Sequence, residues 1–133
     1  LYSAMLKFKE KGQVRHIGVA TANLELAKEA LESELYEVIQ FPFSMISAPP
    51  VIDFVKECEQ KNVGFIAMQP LNGGVINNIP LAFGYLSEFE NVVPVWGIHT
   101  QEELQQLLYF TEHPPVIDDQ FRAEVEKARM FFN

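Results

Sequence analysis

Short apolar runs recur along this chain, and between them the apolar positions fall at three- and four-residue steps. The first pattern predicts buried strands and the second amphipathic helices. Four runs read as strands: residues 14–20, 38–43, 64–69 and 92–97. A helix over residues 1–11 carries Leu1, Met5 and Phe8, with Tyr2 and Leu6 beside them, and Gly12 ends it. A helix over 24–34 turns Leu24, Ala27, Ala30 and Leu31 inward, with Thr21 or Asn23 as its N-cap. The Pro49-Pro50 pair opens a helix whose face is Val51, Phe54, Val55 and Cys58. Another starts near Pro80 and buries Ala82, Tyr85, Leu86 and Phe89. Thr100-Gln101-Glu102-Glu103 has the form of a capping box before Leu104, Leu107 and Leu108. A last helix, capped by Asp118 or Asp119, carries the stripe Phe121, Val125, Ala128 and Phe132.

The strands begin near residues 14, 38, 64 and 91, at steps of 24, 26 and 27. Such alternation implies parallel strands joined by right-handed crossovers. Two architectures fit an α/β chain of this kind. One is a flat doubly wound sheet; the other is half of a (β/α)8 barrel, four parallel strands alternating with helices. In both, ligands gather at the carboxyl ends of strands. The exits are Ala20-Thr21, Gln40 to Ser44, Met68-Gln69 and Gly97-Ile98-His99.

Gln40 is the one amide inside the apolar run 38–43. A buried amide without partners costs about 1–3 kcal/mol, so either the fold satisfies it or a ligand does. The other exits bear hydroxyls, sulfur, amides and backbone, but no Asp or Glu. His99 is the only histidine among them, too few ligands for a metal and no clear nucleophile–base pair. His16 and His113 read as ordinary structural or surface residues. Trp96 reads as packing, with stacking on a planar ligand as the alternative. Asn72-Gly73-Gly74 has turn chemistry, and its backbone amides offer a phosphate cradle.

Composition narrows this further. The 133 residues are 48% hydrophobic and 21% charged, enough for one domain with a core. The net charge of −8 argues against nucleic acid and anionic membrane surfaces as partners. Lys7, Lys9, Lys11 and Arg15 form the one basic cluster, read as a solvated helix end. A single cysteine, Cys58, excludes an internal disulfide, reads as core packing and fits a reducing, cytoplasmic setting. No apolar run reaches the ~18 residues of a membrane span. The chain opens Leu1-Tyr2-Ser3-Ala4-Met5, in mid-pattern and without an initiator Met, and is expected to be cut from something longer.

Several stretches resemble one family. Gly12 to Thr21 is similar to the fifth strand of an aldo-keto reductase barrel, Val38 to Ser44 to the sixth, and Gly64 to Leu71 with Gly73-Gly74 to the seventh. Val93 to Leu104 resembles the eighth strand and the helix that holds the cofactor's adenosine phosphate. The resemblance implies that residues 1–133 are a single partial domain, the C-terminal half of that barrel. The Pro-Val-Trp-Gly-Ile run resembles a branch whose members often carry an iron–sulfur tail, although any such cluster would belong to a further C-terminal extension.

The resemblance further implies a parent oxidoreductase that reduces aldehydes or ketones with NAD(P)H, this half binding the cofactor. Gln40 matches the Gln that holds the nicotinamide carboxamide, and Thr21 is a secondary polar contact. The family's Ser-Asn pair falls on Ala20 and Thr21. Met68 stands where a Tyr often stacks under the nicotinamide, with Gln69 and Leu71 beside it. Gly97, His99 and Thr100 fall at the phosphate and adenosine end. Glu103 lies close to an Arg position used for the 2′-phosphate, which disfavours that phosphate. The family's catalytic Asp, Tyr, Lys and His come from strands absent here, so no catalytic residue is assigned and these residues alone are expected to be inactive. The alternative is a non-catalytic half-barrel, a nucleotide-binding or assembly module. A carbonyl compound is the expected small-molecule partner, and the isolated chain is expected to self-associate through its unpaired edges.

Overall fold

Side chains alternate across a strand, so a strand walled by helices on one side buries every second residue. That alternation organises the computed structural model, which describes residues 1–132. The strands are β1 (Gly18–Ala20), β2 (Val38–Pro42), β3 (Gly64–Met68) and β4 (Val92–Pro94). The helices are α1 (Tyr2–Glu10), α2 (Leu24–Ser33), α3 (Pro49–Gln60), α4 (Ile79–Ser87), α5 (Gln101–Glu112) and α6 (Asp119–Phe132). The strands form one sheet in chain order, β1-β2-β3-β4, and each adjacent pair is parallel. A doubly wound sheet reverses its order at a switch point. Unbroken sequential order is the wall of a barrel, with its helices on one face. The structure thus selects the partial barrel.

Ile39 and Phe41 of β2, Phe65 and Ala67 of β3 and Val92 of β4 form one buried cluster with Ala27, Leu31, Phe54, Val55, Cys58 and Leu86 from the helices. Phe43 links these layers, with ring centroids 5.8 Å from Phe65 and 5.2 Å from Phe89. Each such edge-to-face pair adds about 0.5–1.5 kcal/mol to the burial itself. Cys58 is fully buried, and burial pushes its thiol up to about 12, as befits a core residue.

The other face is open. Its central row runs Ala20, Gln40, Ile66, Val93 across the four strands. Gly18 begins β1 because a Cβ there would lie 2.8 Å from the Val38 carbonyl oxygen.

β1 is shorter than the strand expected over residues 14–20. Its one neighbour, β2, begins at Val38 opposite Gly18, and ahead of it only the Ile17 carbonyl reaches across, accepting the Glu37 N–H at 2.8 Å. β4 ends at Pro94, which has no N–H, although the Val95 N–H still reaches the Ala67 carbonyl at 3.0 Å. Of the apolar positions expected inside α5, only Leu107 is buried; Leu104 and Leu108 are exposed. No residue of α1 is fully buried. It rests on an edge-to-face contact of Tyr2 with Tyr36 and on an ion pair of Lys9 with Glu37.

A second apolar cluster lies at the carboxyl end of the sheet. It joins Met45 and Ile46 from the loop after β2, Ile76 from the loop after β3, Leu81 and Ala82 of α4, and Phe121 and Val125 of α6. Phe132, expected on the α6 stripe, is instead 40% exposed.

Candidate functional site

The carboxyl end of β1 is joined to the middle of β2 by the main chain. The Thr21 N–H donates to the Gln40 carbonyl at 3.0 Å. The Gln40 side chain stands on the open face, half-buried, and makes no hydrogen bond among the described residues. Its amide therefore offers one acceptor and two donor hydrogens to whatever covers that face. The Thr21 hydroxyl accepts the Asn23 N–H at 3.0 Å and keeps its own proton to donate. Asn23 is the N-cap of α2, accepting from Glu25 and Leu26, so Thr21 braces the cap rather than forming it. Met68 lies on the same face as Gln40, opposite Pro42, and is half-buried.

The ends of β3 and β4 enclose a cleft of about 600 Å³. Of the candidate residues, Gln69, Leu71, Gly97 and His99 line it, together with Trp96 and Glu103. Gln40, Met68 and Thr21 do not; Gln40 and Met68 belong to the open face next to it, and Thr21 follows the end of β1, one residue out of phase with Ala20. Thr100 is used as the N-cap of α5, accepting the Glu103 N–H at 3.1 Å. The expected capping box is displaced by one residue: the Glu103 carboxylate accepts from the His99 N–H at 2.9 Å, not from Thr100. Trp96 packs, as expected, stacked on Phe83 with ring centroids 5.9 Å apart, while another part of it walls the cleft.

Of the phosphate cradle expected at residues 72–74, two of the three backbone donors are spent on the turn itself. The Asn72 N–H donates to Gln69, Gly74 to Leu71, Val75 to Asn72 and Ile76 to Leu71, at 2.8–3.3 Å. Gln69, Asn72, Gly73 and Gly74 all have positive φ, and the turn consumes the Asn72 and Gly74 donors, leaving the Gly73 N–H alone of the three without a backbone partner among the described residues. No Lys or Arg lines the cleft, and its one carboxylate is Glu103 at the start of α5. Among the described residues no group of three or more His, Cys, Asp or Glu could hold a metal ion. No helix among them is long and apolar enough to cross a membrane.

Residues 1–79 match the Aldo/keto reductase family. The chain belongs to that family. The match contains Thr21, Gln40, Met68, Gln69 and Leu71 and stops short of Gly97, His99 and Thr100. Among solved structures, the chain resembles a thermostable aldo-keto reductase crystallised with the inhibitor epalrestat, at 20% identity and a TM-score of 0.73, over 95% of this chain and 53% of that one. It also resembles an aldo-keto reductase from Bacillus halodurans in its holo form, at 15% identity and a TM-score of 0.79, over 95% of this chain and 54% of that one. At these identities the likeness bears on fold alone, and it agrees with the strand order. The chain spans about half the length of these structures. No curated protein matches it.

Sequence reasoning placed Glu103 near the candidate site but not as one of its residues. The S/T-x-x-E spacing that marks a helix start also brings the carboxylate to the cleft mouth, so the signal was present. Asn77 and Ile79 also line the cleft, brought there by the turn after Gln69, whose left-handed residues other than glycine leave no periodic trace.

Proposed function

We propose that this chain is the cofactor-binding, C-terminal half of an aldo/keto reductase barrel. The parent would reduce aldehydes or ketones using a nicotinamide nucleotide. The observation that carries the reading is the Gln40 amide, half-buried on the open face without a protein partner and tied through its carbonyl to Thr21. A primary carboxamide is complementary to such an amide, since both donate and accept. Gln40 and the Thr21 hydroxyl would hold the carboxamide, with Met68 as a polarizable neighbour. Gln69, Leu71, Gly97 and His99 would receive the rest of the nucleotide in the cleft. When bound, the nucleotide supplies the hydride.

The residues fit the non-phosphorylated dinucleotide better than the phosphorylated one. Glu103 brings a carboxylate to the cleft, and no cation there offsets a 2′-phosphate. A hydroxyl pair can donate to that carboxylate, whereas a phosphate is repelled. The Pro-Val-Trp-Gly-Ile run supports placing the parent in the iron–sulfur-tailed branch. Cys58, the only cysteine, is in the core and cannot serve a cluster, so its ligands would lie outside these residues.

A second reading, a non-catalytic nucleotide-binding or assembly module, is favoured by the open face itself. Its central row of Ala20, Gln40, Ile66 and Val93 holds no titratable side chain to protonate a carbonyl. Trp96, the one tryptophan, reports on the cleft it lines. Its fluorescence is expected to change on titration with NADH and to respond about tenfold more weakly to NADPH. No response to either nucleotide up to about 1 mM sinks the cofactor-binding reading.

A further inference from the structure

We infer that α6 is a clasp that sets the loops after β2 and β3, and that Arg129 is a positioning residue for the Gln40 side of the site. The inference rests on the nucleotide reading above for its functional half and on contacts alone for its structural half. The Arg129 Nη1 donates to the Met45 carbonyl at 2.7 Å, across 84 residues of chain. A guanidinium–carbonyl bond of this length, partly buried, is a charge-assisted contact. Met45 follows β2 by three residues and is 1% exposed. The same helix presses Phe121 and Val125 into the cluster that contains Met45, Ile46 and Ile76. One helix thus holds both loops that leave the candidate site.

Two further contacts fix where α6 sits. Phe121 occupies the space left by the missing side chain of Gly84 on α4. Arg122 pairs with Glu88 at the end of α4, at 3.1 Å. The loop after β2 has its own local bonds, Ser44 N–H to the Ser47 hydroxyl at 2.9 Å and Ile46 N–H to the Ser44 hydroxyl at 3.3 Å. These shape the turn, but only Arg129 ties its main chain to another element by a side-chain hydrogen bond among the described residues. A nucleotide lying from Gln40 to the cleft spans both loops, so its affinity is coupled to the docking of α6, and the coupling is reciprocal.

The test is Arg129→Met in the full chain, which keeps a long apolar stem and removes the donor, with Arg129→Lys as the partial rescue. Amide exchange at Ile46 and Ser47 is expected to rise about tenfold in Arg129→Met and less in Arg129→Lys, while exchange at Phe65 in the sheet stays unchanged. NADH affinity, read from Trp96 fluorescence, is expected to fall about fivefold in the same order. Unchanged exchange at Ile46 and Ser47 overturns the clasp. Faster exchange with NADH affinity intact overturns the positioning role. Wild-type chain that binds no NADH defeats the nucleotide reading and the positioning role together, whereas the exchange result still decides the clasp by itself.

Discussion

The Thr21 N–H and the Gln40 carbonyl, 3.0 Å apart, tie the end of β1 to the middle of β2. The bond uses the main chain of Gln40 and leaves its side chain free. That division of labour lets the strand be fully integrated while its amide remains available on the open face.

Gln40→Leu separates the two roles. The main-chain bond to Thr21 survives, and an apolar side chain on this half-buried face is tolerated. Stability to urea is therefore expected to stay within about 0.5 kcal/mol of wild type. NADH affinity is expected to fall about tenfold, the weight of one or two lost hydrogen bonds. Equal affinities in a Trp96 fluorescence titration would show that Gln40 is only a strand residue.

Gly84→Ala should destabilise the chain, against the usual preference for alanine in a helix. An added Cβ would meet the Phe121 ring at 2.6 and 2.8 Å and Ile117 at 3.1 Å. Phe121 is buried in the cluster with Met45, Ile76 and Val125, so moving its ring disturbs that packing. Overpacking of this kind costs about 1–3 kcal/mol, more than the gain of about 1 kcal/mol in helix propensity. A urea midpoint at or above wild type would show that α6 slides aside freely.

Glu37 predicts an acid-sensitive attachment of α1. Lys9 first, and His16 second, hold its carboxyl below the usual 4.5 by hydrogen bonding to the charged form. The His16 ring nitrogen lies 2.5 Å from one carboxylate oxygen and Lys9 contacts the other. A depressed carboxyl stabilises the folded state above its unfolded pKa, and the contribution disappears as pH falls through the lower folded value. The wild-type urea midpoint should therefore drop more steeply below about pH 4.5 than that of Glu37→Gln. Parallel acid limbs for the two proteins would remove Glu37 from the account.

Much of this architecture could be read from the sequence because its signals are local. Asn23 and Thr100 cap helices where expected, and Asp118, one of the two acids proposed, accepts the Phe121 N–H at 2.8 Å. The buried stripe of α3 follows directly from the spacing of Phe54, Val55 and Cys58. Strand lengths were less legible, since residues 14–17 look like strand but precede the ladder, joined to it only where the Ile17 carbonyl accepts the Glu37 N–H. Facing was legible only as a period: the structure turns Ile39 and Phe41 to the helices and gives Gln40 the open side. The contacts of α6 could not be read at all, because Arg129 meets a carbonyl 84 residues away and Gly84 is shaped by a ring on another helix.

The last prediction concerns the open face and the two edges, and it is that the isolated chain self-associates. β1 and β4 each have one strand neighbour, so the outer side of each carries ladder groups unpaired within the sheet. Both are only three residues long, which limits pairing through edges alone. The face adds the larger drive. Val93 is 63% exposed and Val95 55%, beside half-buried Ile66 and Met68, on a surface no described helix covers. Apolar patches of this kind seek a partner. Two four-stranded copies supply the eight strands of a closed barrel, so a symmetric dimer is the expected species. Light scattering across a concentration series should give twice the monomer mass at high concentration. Val93→Lys places a charge on the face without touching the helix-side cluster and should shift the chain toward monomer. A wild-type chain that stays monomeric at high concentration would show that its open face is stable in water without a second copy.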